Sequence, residues 1–214
     1  MKKIYLVWLS NGWIRMESMI WLNKQLQRTD IELHVSRQFK EPVQSNRNSI
    51  ALDFLKSDCD YLVMIDSDTI VPNNFLELID HDKDIISATY CGWHKTYLQF
   101  MAFNRDEKAQ YGITPISGTG LKEADYLGTG AMIIKREVIE NIKRPFDCTY
   151  NDDGIVTLGE DFSFCEKARE KGYKMWVDLD CICSHYKEIN LEMVYNYMQT
   201  KPVKVVSGRS KKSK

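Results

Sequence analysis

The sequence predicts an α/β protein with a mainly parallel central sheet flanked by helices. Short apolar runs alternate with stretches of helical periodicity through the first half of the chain. A chain of 214 residues with 43% apolar content can bury a full core as one domain. No repeat or interdomain linker interrupts the pattern, so we expect one domain over residues 1–203 and a basic, disordered tail over 204–214.

The first half of the chain alternates strictly between strand and helix patterns. Its strands are short apolar runs, and its helices carry apolar residues three and four positions apart. We predict strands over 4–9, 31–36, 61–65 and 84–89, and helices over 16–27, 46–56 and 73–79. Because each helix separates two strands, the connections predict parallel pairing.

The second half of the sequence is less regular. Residues 91–119 combine Gly, Pro, Thr and aromatic residues without a sustained period, which indicates hairpins and loops. Beyond them we predict a strand over 131–135 followed by a short helix, a helix over 160–171 that ends at Gly172, and a last strand over 173–177.

Asp66-Ser67-Asp68 is the most informative motif, because it directly follows the strand predicted over 61–65. Ligands of open α/β sheets collect at the carboxyl ends of such strands. Two residues apart on extended backbone, the carboxylates lie about 6.6 Å apart, which suits one divalent cation bound directly by one Asp and through water by the other. The alternative is that Asp66 or Asp68 only caps a turn or helix.

Two further segments have possible chemical roles. At Gly128-Thr129-Gly130 the backbone can turn sharply and approach a ligand, although a bulge or bend in a strand explains the glycines as well. Glu160 and Asp161 precede an apolar helical turn, where acidic residues are favourable through the helix dipole alone. The functional alternative is a carboxylate on a rigid helix end that accepts a proton from a hydroxyl.

A third segment contains Cys181, Cys183 and His185, which share one face if the chain is extended there. Such a set could form part of a zinc site, but no fourth ligand stands at a compatible spacing. Buried free thiols beside a functional histidine are the favoured interpretation.

Four motifs in chain order, followed by Ser184-His185, resemble the signature of glycosyltransferase family 2-like enzymes of the GT-A fold, which are DxD-containing nucleotide-sugar transferases. They are YLVMIDSD at 61–68, GTGAMIIKRE at 128–137, GEDFSFC at 159–165 and GYKMWVD at 172–178. The resemblance covers roughly residues 1–186 and implies a Rossmann-like GT-A domain.

The resemblance also implies a role for each site residue. Asp161 is the expected catalytic base, and Glu160 beside it is an expected acceptor contact. Apart from the resemblance, Trp93 lies in segment 90–100, where we expect acceptor choice to be determined, and could stack on a sugar ring, although core packing is the commoner role of such an aromatic. A Mn²⁺ or Mg²⁺ ion is expected on Asp66, Asp68 and His185. The expected contacts of the nucleotide-sugar donor are Ser10, Asn11, Arg47, Asp66, Ser67, Gly128, Thr129 and Gly130.

Composition limits the partners and the compartment. A net charge of −1 predicts no broad nucleic-acid footprint. Six scattered cysteines without a recognisable signal peptide favour reduced thiols and a cytoplasmic protein. No apolar run approaches the roughly 18 residues of a membrane span, and peripheral membrane contact through the basic tail stays open.

These observations together predict a metal-dependent glycosyltransferase. We expect it to move a sugar from a nucleotide diphosphate donor, a UDP-sugar, to a hydroxyl acceptor on a glycan, lipid or protein, with inversion by Asp161. A sugar nucleotidyltransferase is one alternative, disfavoured because Ser10-Asn11-Gly12-Trp13 is not a Gly-rich basic phosphate loop. The other is a non-catalytic nucleotide-sugar-binding module, against which the intact acidic residues and His185 argue. The same fold also hosts transferases that retain anomeric configuration.

Overall fold

The fold is that of a computed structural model, which describes residues 1–10, 12–39, 41–94, 97–109 and 112–200. The side chains of residues 93, 94, 97 and 200 are outside this description. The predicted domain end at 203 and the basic tail over 204–214 lie outside it as well.

Strands and helices alternate at first and give way to short strands later in the chain. The strands are β1 Lys2–Leu9, β2 Ile31–Gln38, β3 Tyr61–Asp66, β4 Thr69–Ile70, β5 Ile85–Thr89, β6 Cys91–His94, β7 Tyr97–Phe100, β8 Ala102–Arg105, β9 Ile113–Pro115, β10 Leu121–Ala124, β11 Tyr126–Leu127, β12 Ala131–Lys135, β13 Thr149–Tyr150, β14 Val156–Leu158, β15 Met175–Ile182 and β16 Ser184–His185. The α-helices are α1 Met16–Gln25, α2 Val43–Lys56, α3 Arg136–Asn141, α4 Glu160–Glu170 and α5 Leu191–Thr200. A 3₁₀ helix spans Phe75–His81.

Seven strands form the central sheet in the order β10-β15-β5-β12-β3-β1-β2. β1 pairs in parallel with β2 and β3, and β5 pairs in parallel with β15. β12 lies antiparallel between β3 and β5, and β10 is an antiparallel edge strand. Five of the seven strands therefore run in one direction, as the α-β alternation predicts.

Helices cover both faces of this sheet. Leu62 and Met64 of β3 pack on the face that is covered by Ile50 and Phe54 of α2. Val63 and Ile65 point to the opposite face, which is covered by α1 and the 3₁₀ helix. Because β3 is buried on both faces, it is an unbroken apolar run that ends at the first charged residue, Asp66.

Several element boundaries differ from the prediction. The helix predicted over 73–79 is a 3₁₀ helix over Phe75–His81, and the last predicted sheet strand extends to Ile182. Gly172 ends α4 as expected, with a φ of +86° that favours glycine. The irregular region after residue 90 folds into hairpins, including β6 with β7 and β8 with β9.

Candidate functional site

The Asp66-Ser67-Asp68 motif lies at the carboxyl edge of the sheet. The Asp66 N–H donates to the Gly130 carbonyl at 3.0 Å, and the Ser67 N–H donates to the Leu9 carbonyl at 3.0 Å. These bonds hold the motif between the end of β1 and the start of β12. The motif thus occupies the position at which open α/β sheets bind ligands.

A cleft of about 710 Å³ opens at this edge, a size typical of small-molecule sites. Five residues that the sequence predicts for the site line it: Ser10, Arg47, Asp66, Ser67 and Asp68. The remaining lining residues are Leu9, Phe39, Glu41, Pro42, Val43 and Asn46. Nothing in the sequence pattern distinguished this last group, although Asn46 is the chain neighbour of Arg47.

Arg47 joins two distant segments of the site. Its Nη2 lies 3.1 and 3.2 Å from the two carboxylate oxygens of Asp66, and its Nε lies 3.4 Å from Glu160 Oε1. The side chain is only 4% exposed. Burial alone would lower the pKa of Arg47, but the charges of Asp66 and Glu160 outweigh burial and raise it. Arg47 therefore keeps its charge and ties the end of β3 to the start of α4.

His185 and Lys187 contact Asp68 from a segment far along the chain. β16 pairs antiparallel with β4, so that His185 lies opposite Thr69. The pairing places His185 Nε2 at 3.4 Å and Lys187 Nζ at 2.6 Å from Asp68 Oδ2. The expected approach of His185 to Asp68 is present in the fold, whereas no sequence motif indicated the contact of Lys187 with Asp68.

The hydrogen bond at the other ring nitrogen defines how His185 faces Asp68. Nδ1 lies 2.7 Å from the Cys91 carbonyl, which can only accept, so Nδ1 carries a proton. Nε2 then either carries a second proton or aims a lone pair at a carboxylate. A histidine oriented by a backbone carbonyl, beside a carboxylate, is a donor set that suits a divalent cation.

The ionised state of the Asp68 carboxylate also suits a ligand of a cation. Burial by itself raises the pKa of Asp68, but hydrogen bonds from His185 and Lys187 outweigh it and lower that pKa to about 2. The same contact with Asp68 raises the pKa of His185. Asp68 is therefore ionised throughout the physiological range, as metal binding requires.

The third predicted metal ligand, Asp66, pairs with Arg47. Within the described part of the chain, the ligand atoms of Asp66, Asp68 and His185 do not all lie within 4.8 Å of one another. One set that does is His34, Asp58 and Cys59, where Lys3 already pairs with Asp58. Binding of a cation by Asp68 and His185, and direct ligation by Asp66, therefore all remain predictions.

Asp161 lies in the first turn of α4, directly after Glu160. The N–H of Phe162 donates to Asp161 Oδ1 at 2.8 Å, which fixes the carboxylate on the helix end. Burial, followed by repulsion from Glu160, raises the pKa of Asp161 to about 6. A carboxylate with such a pKa is a suitable proton acceptor near neutral pH.

Tyr90 accounts for the two glycines of Gly128-Thr129-Gly130. A Cβ at either glycine would overlap with the Tyr90 ring, and the Gly130 N–H donates to the Tyr90 hydroxyl at 3.0 Å. Tyr90 also packs edge-on against His185, with 5.0 Å between the ring centroids. The two glycines therefore allow Tyr90 to approach the backbone closely. Their contact with the nucleotide-sugar donor remains a prediction.

The remaining predicted residues fall into three groups. Glu160 faces Arg47, so its contact with an acceptor remains a prediction. Asn11 and the side chain of Trp93 lie outside the described residues. Cys181 and Cys183 are buried free thiols, and His185 turns toward Asp68.

Comparison with known proteins identifies the fold but not a family. No family model and no curated protein sequence matches this chain. Among solved structures, A197 from STIV aligns with a TM-score of 0.62 at 21% identity, covering 88% of this chain and 87% of that one. The predicted fold class is confirmed: the protein is a mixed α/β domain of GT-A type with a seven-stranded sheet flanked by helices.

Two enzymes align more weakly. GalNAc-T7, solved with UDP, GalNAc and Mn²⁺, gives a TM-score of 0.49 at 11% identity over 92% of this chain and 47% of that chain. The inositol-1-phosphate CTP transferase from T. maritima gives 0.44 at 12% identity over 93% and 95%. Neither likeness is strong enough to assign an activity to this chain.

Proposed function

We propose that the protein is a metal-dependent glycosyltransferase that moves a sugar from a UDP-sugar to a hydroxyl acceptor with inversion. The observation that carries the proposal is the bridge made by Arg47. It ties Asp66, two residues before the proposed cation ligand Asp68, to Glu160, the neighbour of the proposed base Asp161. This bridge supports the proposal because inverting sugar transfer needs both a cation and a proton acceptor near the donor.

The charge of the site explains why a divalent cation is needed. Burial raises the pKa of Asp66, but even without Asp66 the carboxylates of Asp68, Glu41 and Glu160 outnumber the basic side chains of Arg47 and Lys187 around the cleft. A donor diphosphate would be repelled by this excess of negative charge. Asp68 and His185 would hold Mn²⁺ or Mg²⁺, and such an ion would supply positive charge to offset the charge that builds on the leaving diphosphate.

Arg47 and Asp161 have the two other roles in the proposed reaction. Arg47 neutralises Asp66 and holds it in place, so that the end of β3 keeps one geometry beside the cleft. Asp161 accepts the proton of the acceptor hydroxyl on a carboxylate oxygen as the new glycosidic bond forms. The hydrogen bond from the Phe162 N–H at the start of α4 keeps the Asp161 carboxylate oriented before the substrate binds.

Product analysis with a panel of UDP-sugars tests the proposal. The purified protein is incubated with each UDP-sugar, Mn²⁺ and a mixture of simple hydroxyl acceptors, and free UDP and pyrophosphate are measured separately. We expect UDP release with at least one donor and none in excess EDTA. Release or consumption of pyrophosphate would instead identify a nucleotidyltransferase. Donor binding without any release would identify a binding module.

The stereochemical part of the proposal has its own measurement. Proton NMR of the first product gives the anomeric configuration relative to the donor. Inversion is expected if Asp161 acts as a base on the acceptor hydroxyl. Retention would contradict that role while leaving the transferase assignment intact.

A further inference from the structure

Helix α5 has an apolar face of four side chains, of which Val194 is half-buried and the other three are exposed. Leu191, Val194, Tyr195 and Met198 stand at i, i+3, i+4 and i+7, which places them on one side of the helix. Leu191 is 78% exposed, Tyr195 63% and Met198 52%. The opposite side carries Glu192, Asn196 and Gln199. We refer to the four apolar residues as the α5 face. Such a strongly amphipathic helix, with its apolar residues in solvent, indicates a surface that a partner covers.

The sequence directly after α5 is strongly basic. Residues 201–214 contain six Lys or Arg and no Asp or Glu, whereas residues 1–200 contain 23 Lys or Arg and 30 Asp or Glu. The net charge of −1 is therefore the sum of two unlike parts. We refer to residues 1–200 as the acidic body and to residues 201–214 as the basic segment. This asymmetry points to an anionic partner at the carboxyl-terminal end of the chain.

We propose that the α5 face and the basic segment together dock the protein on an anionic lipid bilayer. The apolar side chains need an apolar partner and the basic residues need an anionic one, and an anionic bilayer offers both within one surface. Tyrosine, which contributes to the α5 face, is favoured at the boundary between headgroups and acyl chains. A nucleic acid would pair with the basic residues but would leave the α5 face in contact with water, so it accounts for only one of the two features.

The charge distribution also defines the orientation of the docked protein. The acidic body is repelled by the anionic surface, while the basic segment is attracted to it. The protein should therefore attach through its carboxyl-terminal end, with the body held away from the lipid. None of the described helices combines the length and hydropathy of a transmembrane span. With 10 residues and one apolar face, α5 is expected to lie in the plane of the interface.

Vesicle co-sedimentation with matched variants tests the proposal. The full chain is mixed with vesicles of phosphatidylcholine alone or with 30% phosphatidylglycerol, at low and high salt. Leu191→Glu/Met198→Glu adds two acidic residues to the α5 face, and Asn196→Glu/Gln199→Glu adds the same charge to the polar side. A third variant replaces the six basic residues of 201–214 by Gln. Circular dichroism confirms that each variant is folded.

We expect the parent to bind the anionic vesicles, more weakly at high salt, and to leave the neutral vesicles unbound. The α5-face variant and the Gln variant should each lose at least about tenfold in binding, while the polar-side variant changes much less. Equal losses in the two Glu variants would overturn a role for the α5 face. Failure of the parent to bind would overturn the proposal, and a dimer lost only in the α5-face variant would identify a second copy as the partner.

Discussion

Asp68 and Asp161 are the same residue type at the same edge of the sheet, yet their surroundings shift their pKa values in opposite directions. Asp68 contacts His185 and Lys187, which outweigh its burial and bring its pKa to about 2. Asp161 is buried beside Glu160, and its pKa rises to about 6. Two carboxylates whose pKa values differ in this way suit different tasks. Asp68 stays an anion that can bind a cation, and Asp161 can accept a proton near neutral pH.

Replacing Asp161, the proposed proton acceptor, should have the largest effect on turnover. Asp161→Asn keeps the shape of the side chain and loses its basicity, so kcat should fall about 10²- to 10⁴-fold while the affinity for the UDP-sugar changes little. Steady-state kinetics and donor titration measure the two quantities. Glu160→Gln is the control, and if it lost as much rate while Asp161→Asn lost almost none, the base would be Glu160.

The pH dependence of stability should have opposite signs for the two residues. Asp161 has a pKa of about 6 in the folded chain against an ordinary 3.8, so its ionised form costs stability above pH 6. Asp161→Asn should therefore raise the free energy of unfolding at pH 7, by at most about 3 kcal/mol, and the gain should vanish as the pH falls through 6 toward 4.

Asp68→Asn should show the reverse sign when both variants are unfolded with urea over the same pH range. The folded pKa of Asp68 is about 2, below the ordinary 3.8, so its ionised form stabilises the fold above pH 4. The variant should be less stable than the parent at pH 7, and the difference should shrink as the pH falls from 4 toward 2. The same sign for both variants would contradict the contrast between the two sites.

Loss of His185 should weaken metal-dependent nucleotide binding. His185→Ala removes a donor oriented by the Cys91 carbonyl, and we expect UDP affinity in the presence of Mn²⁺ to fall at least about 10- to 100-fold with the fold intact. Calorimetric titration measures this loss. His81→Ala, in a histidine–aspartate pair with Asp178, is the matched control. Unchanged binding by His185→Ala would show that the cation is held elsewhere.

Removal of Lys187 should have the smallest effect and the opposite direction. Its ammonium group lies 2.6 Å from Asp68 Oδ2, where it competes with a metal ion for the same oxygen. Lys187→Met should tighten Mn²⁺ binding without nucleotide by about two- to fivefold, because partly exposed ion pairs contribute little. Lys174→Met, which breaks a pair with Glu123, should leave Mn²⁺ affinity unchanged. Weaker Mn²⁺ binding by Lys187→Met would contradict the competition.

The sequence was most informative where structure is local. The apolar run before Asp66 predicts a buried strand, and the charge that ends the run marks the edge where the cleft opens. The helical spacing before Lys56 and the glycine at 172 predict α2 and the end of α4 to within a few residues. α5 is not among the elements that we predicted, although Leu191, Val194 and Met198 stand at the helical spacing that would have indicated it.

The sequence by itself determined the α/β class, the strand-end carboxylates and the candidate base on a helix end. These depend on periodicity and on short motifs, which act within a few residues. Only the tertiary structure decided that Arg47 reaches Glu160 across 113 positions and that Lys187 reaches Asp68 across 119. Such contacts follow from the sheet order, in which β12 inserts antiparallel between β3 and β5, and from the pairing of β16 with β4. Pairing between distant strands depends on how the whole core packs, so no local sequence pattern predicts it.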